Sequence, residues 1–248
     1  MPEEQERRAP ATRSEPRGGP PGTRQGAGPG ARWPLALLAA LAALGALALA
    51  ASAGAQTAAA SAPASAAPSW SFGVSGAAYL LPDDEDFVQP TLEADHGRLH
   101  LETRYNYEAR GSTSFFAGAS FELGGDKLKL ALTPMLGGLA GRTDGIVPAL
   151  EADLTAGPFE AYGEAEYVFD LGDSASSYFY MWSELSLWPT QWLRAGVVTQ
   201  RTRVYQTERD IQRGLLLGFT VKKLDGTVYF FNPGADDHFT VVSLGFSF

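Results

Sequence analysis

The stretch that decides the fold is the end of the chain, "HFTVVSLGFSF", residues 238–248. Apolar residues recur there at every second position, and one face would carry Thr240, Val242, Leu244, Phe246 and Phe248. The opposite face ends on the small residues Ser243, Gly245 and Ser247. This alternation predicts a β-strand with two different faces, because successive side chains of a strand point to opposite sides of the sheet.

The same alternation recurs from Trp70 to the end of the chain, with turn residues between the runs. It predicts twelve strands, at residues 70–81, 87–95, 98–109, 112–123, 127–140, 146–156, 159–170, 177–188, 192–205, 211–222, 226–232 and 238–248. Most are about nine residues or longer, enough to cross a bilayer at a tilt. Pro90, Pro134 and Pro148 fall inside three of these runs. A count of ten strands therefore stays open, since proline cannot donate to a β-ladder.

The connections between these strands alternate in length. Joins after even-numbered strands are tight turns such as "DHG", "GGD" and "AGP", whereas joins after odd-numbered strands include the longer, polar "PDDED", "GDSASS" and "NPGADD". Short turns at one end and longer loops at the other are typical of transmembrane barrels. We therefore predict an all-β fold, an antiparallel up-and-down transmembrane β-barrel at residues 70–248. The alternative, a soluble β-sandwich, would have to bury the whole apolar face in one core.

The N-terminal segment predicts export. Residues 1–32 are rich in Pro, Gly and Arg, and the run from Pro34 to Ala50 carries no charge. Ala53-Gly54-Ala55 then forms an A-x-A cleavage site. We interpret residues 1–55 as a signal peptide with a long, disordered basic n-region, and residues 56–69 as a flexible Ala/Ser/Pro linker. An uncleaved membrane anchor is the alternative, since the apolar run is just long enough to span a bilayer.

Composition narrows the function. The chain has no cysteine and three histidines spread along its length, so we expect no metal site and no cofactor. Removal of residues 1–55 leaves 13 basic and 24 acidic residues, a net charge near −11. Such an acidic protein is a poor partner for nucleic acid, because phosphate contacts need Lys and Arg.

The signal peptide, the alternating strands and the terminal Phe248 together resemble a bacterial outer-membrane β-barrel protein. The resemblance covers residues 70–248 and concerns the architecture, which does not by itself define a function. It implies integral residence in the outer membrane of a Gram-negative cell envelope, in contact with lipid and lipopolysaccharide. It also implies that Phe246 and Phe248 act as the signal by which the barrel-assembly machinery recognises the last strand. The oligomeric state stays open.

The face opposite the apolar one predicts a charged lumen. The candidate lining residues are Arg98, His100, Glu102, Arg104, Glu151, Asp153, Glu160, Glu164, Glu166 and Glu184. Paired charges could close the barrel as a salt-bridge network, or the same charges could line a narrow wet passage that selects by sign and size. We expect a porin-like channel for passive diffusion of small hydrophilic solutes, with cations or sugar-like solutes preferred over anions. The first alternative is a sealed structural or lipopolysaccharide-interacting barrel.

Two further hypotheses concern the ends of the strands. Arginine suits bidentate phosphate contacts, so we take as candidate lipopolysaccharide contacts Arg201, Arg203, Arg209 and Arg213.

An outer-membrane hydrolase is the second alternative, because Asp83–Asp86 and Asp237-His238 faintly resemble the acid and histidine pairs of surface barrel proteases. No serine is marked as a partner of His100, however, and we expect no enzymatic activity.

Overall fold

The computed structural model describes residues 68–82, 84–204 and 210–248. The predicted signal peptide and nearly all of the linker lie outside the described residues, as do Asp83 and Arg209. Within the described part, no helix is long and apolar enough to cross a membrane. The chain there is almost entirely β-strand.

Thirteen β-segments follow one another in an up-and-down order. Their bounds are β1 Trp70–Leu80, β2 Phe87–His96, β3 Leu99–Tyr105, β4 Ser112–Ala119, β5 Phe121–Gly125, β6 Leu128–Gly141, β7 Gly145–Ala156, β8 Phe159–Asp170, β9 Tyr178–Leu187, β10 Leu193–Val204, β11 Asp210–Val221, β12 Leu224–Phe231 and β13 Phe239–Ser247. Each pairs antiparallel with its neighbours in the sheet. A short 3₁₀ turn, Ser174–Ser176, precedes β9.

β4 and β5 act as one strand of the barrel wall. Gly118 of β4 pairs with Met135 of β6, and Phe121 of β5 pairs with Leu132 of β6, so the register continues across the break at Ser120. The Ser120 N–H still donates to the Arg98 carbonyl at 2.8 Å. The wall therefore has twelve strands, which confirms the predicted count and excludes the ten-strand alternative.

The first and last strands close the ring. β1 pairs antiparallel with β13 from Gly73↔Ser247 to Leu80↔Thr240. At the end of this seam, Phe72 and Phe248 exchange two backbone hydrogen bonds of 3.0 and 2.9 Å. Closure leaves the sheet without an open edge, which is what a barrel needs in order to satisfy its backbone in lipid. The predicted all-β closed barrel is confirmed.

The prolines are accommodated within this wall. Pro148 lies in β7, and the β7–β8 ladder skips Val147 and Pro148 before it resumes in the same register at Ala149↔Glu166. The break follows from the missing N–H of proline. Pro90 and Pro134 keep their places opposite Gly76 and Leu150.

The two faces of the wall differ as the alternation predicts. The outer face exposes large apolar side chains, among them Phe115, Leu136, Leu215, Leu217, Leu244 and Phe246. The inner face carries two buried apolar clusters. The first consists of Tyr79, Tyr180, Trp182, Val198, Leu216, Tyr229, Phe231, Phe239 and Val241. The second consists of Phe116, Met135, Leu139, Val147, Ala149, Val168 and Tyr178.

One predicted element is wrong in its length. The strand predicted at residues 98–109 ends at Tyr105, and residues 106–111 form a loop before β4. Asn106 adopts a φ of 60° and Gly111 a φ of 76°, which β-strand pairing does not allow. Asparagine and glycine tolerate this left-handed region better than other residues, so the chain turns here.

Candidate functional site

The loop at residues 106–111, which we call the inward loop, folds into the barrel. Tyr107 packs against the first apolar cluster and Ala109 against the second. Glu108, between them, is buried and accepts a hydrogen bond from the Ser114 hydroxyl at 2.8 Å. The Tyr178 hydroxyl donates to the Glu108 carbonyl. The inward loop therefore fills part of the lumen next to the charged residues of β3.

Asn106 holds the base of the inward loop. Its side-chain amide donates to the Val88 carbonyl at 3.0 Å, and its side-chain oxygen accepts from the Gly111 N–H at 2.7 Å. Its own carbonyl accepts from the Gln89 side chain at 2.9 Å. The contacts with Val88 and Gln89 attach the loop to β2, and the contact with Gly111 joins the first residue of the loop to its last.

Arg104 is the centre of the charged interior, and only 2 % of it is exposed. Its Nε and Nη2 donate to the two carboxylate oxygens of Glu102 at 2.6 and 2.8 Å. Its Nη1 contacts both Glu164 and Glu166 of β8. Weaker contacts reach Glu151 at 3.3 Å and Glu108 at 3.7 Å. One guanidinium thus faces five carboxylates, here named the Arg104 cluster.

The Arg104 cluster bridges the lumen. Arg104 lies on β3 and its partners Glu164 and Glu166 lie on β8, with β4, β6 and β7 between them along the wall. The guanidinium also stacks on the rings of Tyr107 and Phe116, at 4.4 and 4.9 Å from their centroids. The Tyr107 hydroxyl donates to Glu164 at 2.7 Å. The bridge therefore fixes the inward loop as well as the two walls.

A second, smaller network involves Arg194. Its Nη1 contacts Glu184 at 2.9 Å and Glu160 at 3.4 Å, and its Nη2 donates to the Thr227 hydroxyl at 2.9 Å. Glu184 also accepts from the Trp182 indole at 2.9 Å and from the Tyr229 hydroxyl at 2.8 Å. This network belongs to β8, β9, β10 and β12, and its Trp182, Glu184 and Tyr229 face the same free space as the Arg104 cluster.

The free space between these networks is a cavity of about 210 Å³. Five carboxylates line it, those of Glu93, Glu102, Glu151, Glu164 and Glu184, together with one guanidinium, that of Arg104. Aromatic side chains of Tyr79, Tyr107, Tyr162, Trp182 and Tyr229 line it as well. We call it the lumen cavity. It combines an excess of carboxyl groups over basic groups with aromatic walls.

The candidate lumen residues divide into groups. Arg104 forms ion pairs with Glu102, Glu151, Glu164 and Glu166. Arg194 forms ion pairs with Glu160 and Glu184. Their role in a passage stays a prediction.

Three other candidates have separate contacts. His100 pairs with Asp95 at 2.8 Å. Arg98 is exposed and lies over the Phe121 ring at 5.4 Å. Asp153 accepts from the Thr155 hydroxyl at 3.1 Å.

Sequence reasoning missed the inward loop. The alternation of residues 98–109 runs on through Asn106 and Glu108 as if the strand continued, so Tyr107 was not identified as a lining residue. The signal that could have found the turn is "NYEARG", in which Asn106 and Gly111 are both residues that accept a left-handed backbone.

The candidate lipopolysaccharide contacts are only partly described. Arg201 lies over the Phe179 ring at 5.5 Å, and Arg213 is exposed next to Asn232, whose side-chain oxygen accepts from the Arg213 N–H at 3.3 Å. Arg203 belongs to β10, and Arg209 is outside the described residues. Contact with lipopolysaccharide stays a prediction.

The histidine pairs have no catalytic geometry in the described part of the chain. His238 Nδ1 meets the Ala235 carbonyl at 3.0 Å, and Asp237 accepts from Asn232 at 3.1 Å, so these two neighbours contact other residues. Among the described hydrogen bonds, neither His100 nor His238 meets a serine or threonine hydroxyl. No group of three His, Cys, Asp or Glu side chains among the described residues is arranged to hold a metal ion.

Comparisons with known proteins identify the fold. No family model and no curated protein matches this chain. Among solved structures, the KdgM porin in complex with disordered oligogalacturonate has a TM-score of 0.51 at 12 % identity, covering 71 % of this chain and 99 % of that one. The KdgM porin alone has a TM-score of 0.49 at 12 % identity, with coverages of 71 % and 98 %. The Acinetobacter baumannii outer membrane protein Omp33 has a TM-score of 0.43 at 13 % identity, with coverages of 72 % and 98 %.

At this level of identity, the likeness to the KdgM complex shows the fold alone. It agrees with a closed twelve-stranded wall whose outer face is apolar all round. Such a wall buries its backbone polar groups in strand pairing and offers lipid only side chains, as outer-membrane barrels do. The chain therefore has the closed antiparallel β-barrel fold of outer-membrane porins.

Proposed function

We propose that this barrel is a narrow channel for passive diffusion of small hydrophilic solutes, and that it prefers cations to anions. The observation that carries the proposal is the lumen cavity, where five carboxylates face one guanidinium. Water inside a pore weakens electrostatic interactions less than bulk water does, so a fixed excess of one sign attracts counter-ions and repels co-ions.

The size of the passage supports small solutes. The inward loop and the Arg104 cluster both occupy the lumen, and the free space beside them is only about 210 Å³. A bore of twelve strands is wider than that of an eight-stranded barrel but narrower than that of the large porins. Sugar-like solutes would contact the rings of Tyr162 and Trp182, which line the cavity. Tyr180 and most of the first apolar cluster pack against one another instead and do not offer their rings to a solute.

The test is recording from the refolded protein in planar bilayers under a KCl gradient. We expect single-channel currents whose reversal potential lies closer to the equilibrium potential of K⁺ than to that of Cl⁻. Glu93→Gln, which removes one cavity carboxylate, should lower the K⁺/Cl⁻ permeability ratio by roughly two- to fivefold, the effect of a single charge in a wet site. Glu122→Gln is the matched control, because Glu122 is exposed beside Lys129 and does not line the cavity. Anion selectivity would contradict the proposal.

A sealed structural barrel is the second candidate, and one observation favours it. Arg104 bridges β3 and β8 while the two apolar clusters fill much of the inner face. Absence of any current from protein shown to be folded and inserted would support this candidate over the channel.

Two partners are proposed on separate grounds. Arg201 and Arg213 suit the phosphates of lipopolysaccharide by their chemistry. Phe246 and Phe248, at 45 % and 58 % exposure on the outer face, suit recognition by the barrel-assembly machinery before the ring closes.

A further inference from the structure

The Arg104 cluster has five carboxyl groups around one guanidinium, more than that single cation can neutralise in full. Glu102, Glu151 and Glu164 contact Arg104 and also line the lumen cavity, whereas Glu108 and Glu166 contact Arg104 without lining it. The side chains of Glu108 and Glu166 are fully buried. Each of these two keeps one carboxylate oxygen, Oε2, that is buried and without a hydrogen-bond partner.

Buried carboxylate oxygens without partners are costly, because a buried charge needs both an opposite charge and hydrogen bonds. A guanidinium has five N–H donors, and those of Arg104 are directed mainly at Glu102, Glu164 and Glu166. The free oxygens of Glu108 and Glu166 therefore offer Arg104 additional acceptors on the side away from the cavity.

The cavity side of the cluster has the chemistry of an organic-cation site. Arg104 itself shows how this interior receives a guanidinium, with a forked pair to Glu102 and stacking on Tyr107. Carboxylates and aromatic faces together favour guanidinium and ammonium groups, through ion pairing and cation–π attraction. Tyr162, Trp182 and Tyr229 extend the aromatic lining around the same space.

We propose that the lumen cavity is a binding site for small organic cations that carry a guanidinium or primary ammonium group, held by Glu102, Glu151 and Glu164. When such a solute binds, Arg104 gives up part of its contact with these three residues and is retained by Glu108 and Glu166. Arg104 thus occupies, in the empty channel, the position that the solute cation takes during passage. This inference rests on the proposed function, because the solute must enter the lumen.

The experiment is calorimetric titration of methylguanidinium chloride into the refolded barrel in detergent, at constant ionic strength set with KCl. The wild type should show saturable binding in the presence of excess K⁺. Glu151→Gln should weaken binding roughly tenfold, the loss expected for one charge-assisted contact. Glu151 suits this test because it is only half-buried and makes the 3.3 Å contact, so its loss disturbs the fold little. Glu122→Gln, which removes the same charge outside the cavity, should bind like the wild type.

Equal weakening in Glu151→Gln and Glu122→Gln would overturn the site, since only overall charge would then matter. Absence of saturable binding to the folded wild type would overturn it too. The bilayer recordings separate this failure from that of the channel. Potassium current without methylguanidinium binding removes the site and keeps the channel, and binding without current removes the channel and keeps the site.

Discussion

At the scale of the residue, Arg104 determines how the interior of the barrel is neutralised. It is 2 % exposed and contacts carboxylates on β3, β7, β8 and the inward loop. Removing one partner of a buried ion pair usually costs far more than the pair contributes, because the remaining charge has lost both water and its counter-charge. Here a single removal would leave five carboxylates facing one another.

Arg104→Met should therefore lower the free energy of unfolding by about 3–5 kcal/mol. Urea titration of the folded barrel in lipid vesicles, followed by tryptophan fluorescence at neutral pH, would measure the difference. Lys129→Met is the control, because the pair of Lys129 with Glu122 has side chains 53 % and 67 % exposed and should contribute about 0–1 kcal/mol. Similar losses in both variants would mean that the Arg104 cluster is neutralised in some other way.

At the scale of the element, two segments have roles that extend beyond their own length. The inward loop turns at Asn106 and Gly111 and carries Tyr107 and Glu108 into the lumen. The last strand, β13, closes the ring with β1 and is followed by Phe248, whose ring stacks on Phe72 at 5.7 Å between centroids. The first segment fills part of the lumen, and the second completes the wall.

Deletion of Phe248 should separate assembly from stability. The ring is 58 % exposed on the lipid side and its backbone makes two hydrogen bonds to Phe72, so its loss should cost the folded barrel about 1–3 kcal/mol. If the assembly machinery recognises this residue, the amount in the outer membrane should fall sharply. The purified variant should still refold in detergent and keep nearly normal heat resistance on gels.

Ser247→Ala, on the inner side of the same strand, is the control and should change neither quantity. Normal amounts of the Phe248 deletion in isolated outer membranes would contradict the assembly signal. The barrel itself would be unaffected by that result, since its closure rests on the whole β1–β13 register.

At the scale of the whole molecule, closure by the first and last strands can be tested directly. The chain has no cysteine, so introduced pairs report on the register alone. Ala77 lies opposite Ser243 across the β1–β13 seam. Phe72 and Phe248 form a hydrogen-bonded pair, so by alternation Ala77 and Ser243 form a non-hydrogen-bonded one, where the Cα atoms come close enough for a disulfide.

Ala77→Cys combined with Ser243→Cys should form a disulfide nearly quantitatively on mild oxidation of the folded barrel. The cross-linked chain should migrate faster than the reduced chain on a denaturing gel. Ala77→Cys combined with Ser247→Cys, four residues out of register, should remain reduced. Equal cross-linking of both pairs would indicate that the seam slides or is open.

The sequence by itself determined the wall of this barrel. Strand periodicity, turn residues and the apolar face are local properties, and the predicted ends of strands such as 159–170 agree with the structure because pairing in an up-and-down barrel joins neighbours in the chain. Pro148 left a count of ten strands open in the sequence, and only the structure shows that the β7–β8 ladder skips it and continues in the same register.

Only the tertiary structure decided which charged residues of the lumen pair with one another. Arg104 meets Glu164, 60 residues away, because the curvature of the closed sheet brings β3 opposite β8. The sequence did not show the inward turn at Asn106 either. The apolar–polar alternation continues through this residue, although its φ of 60° ends the strand. Periodicity predicts which side of the wall a side chain faces, but the partner it meets across the barrel depends on ring closure and stagger, which no local pattern contains.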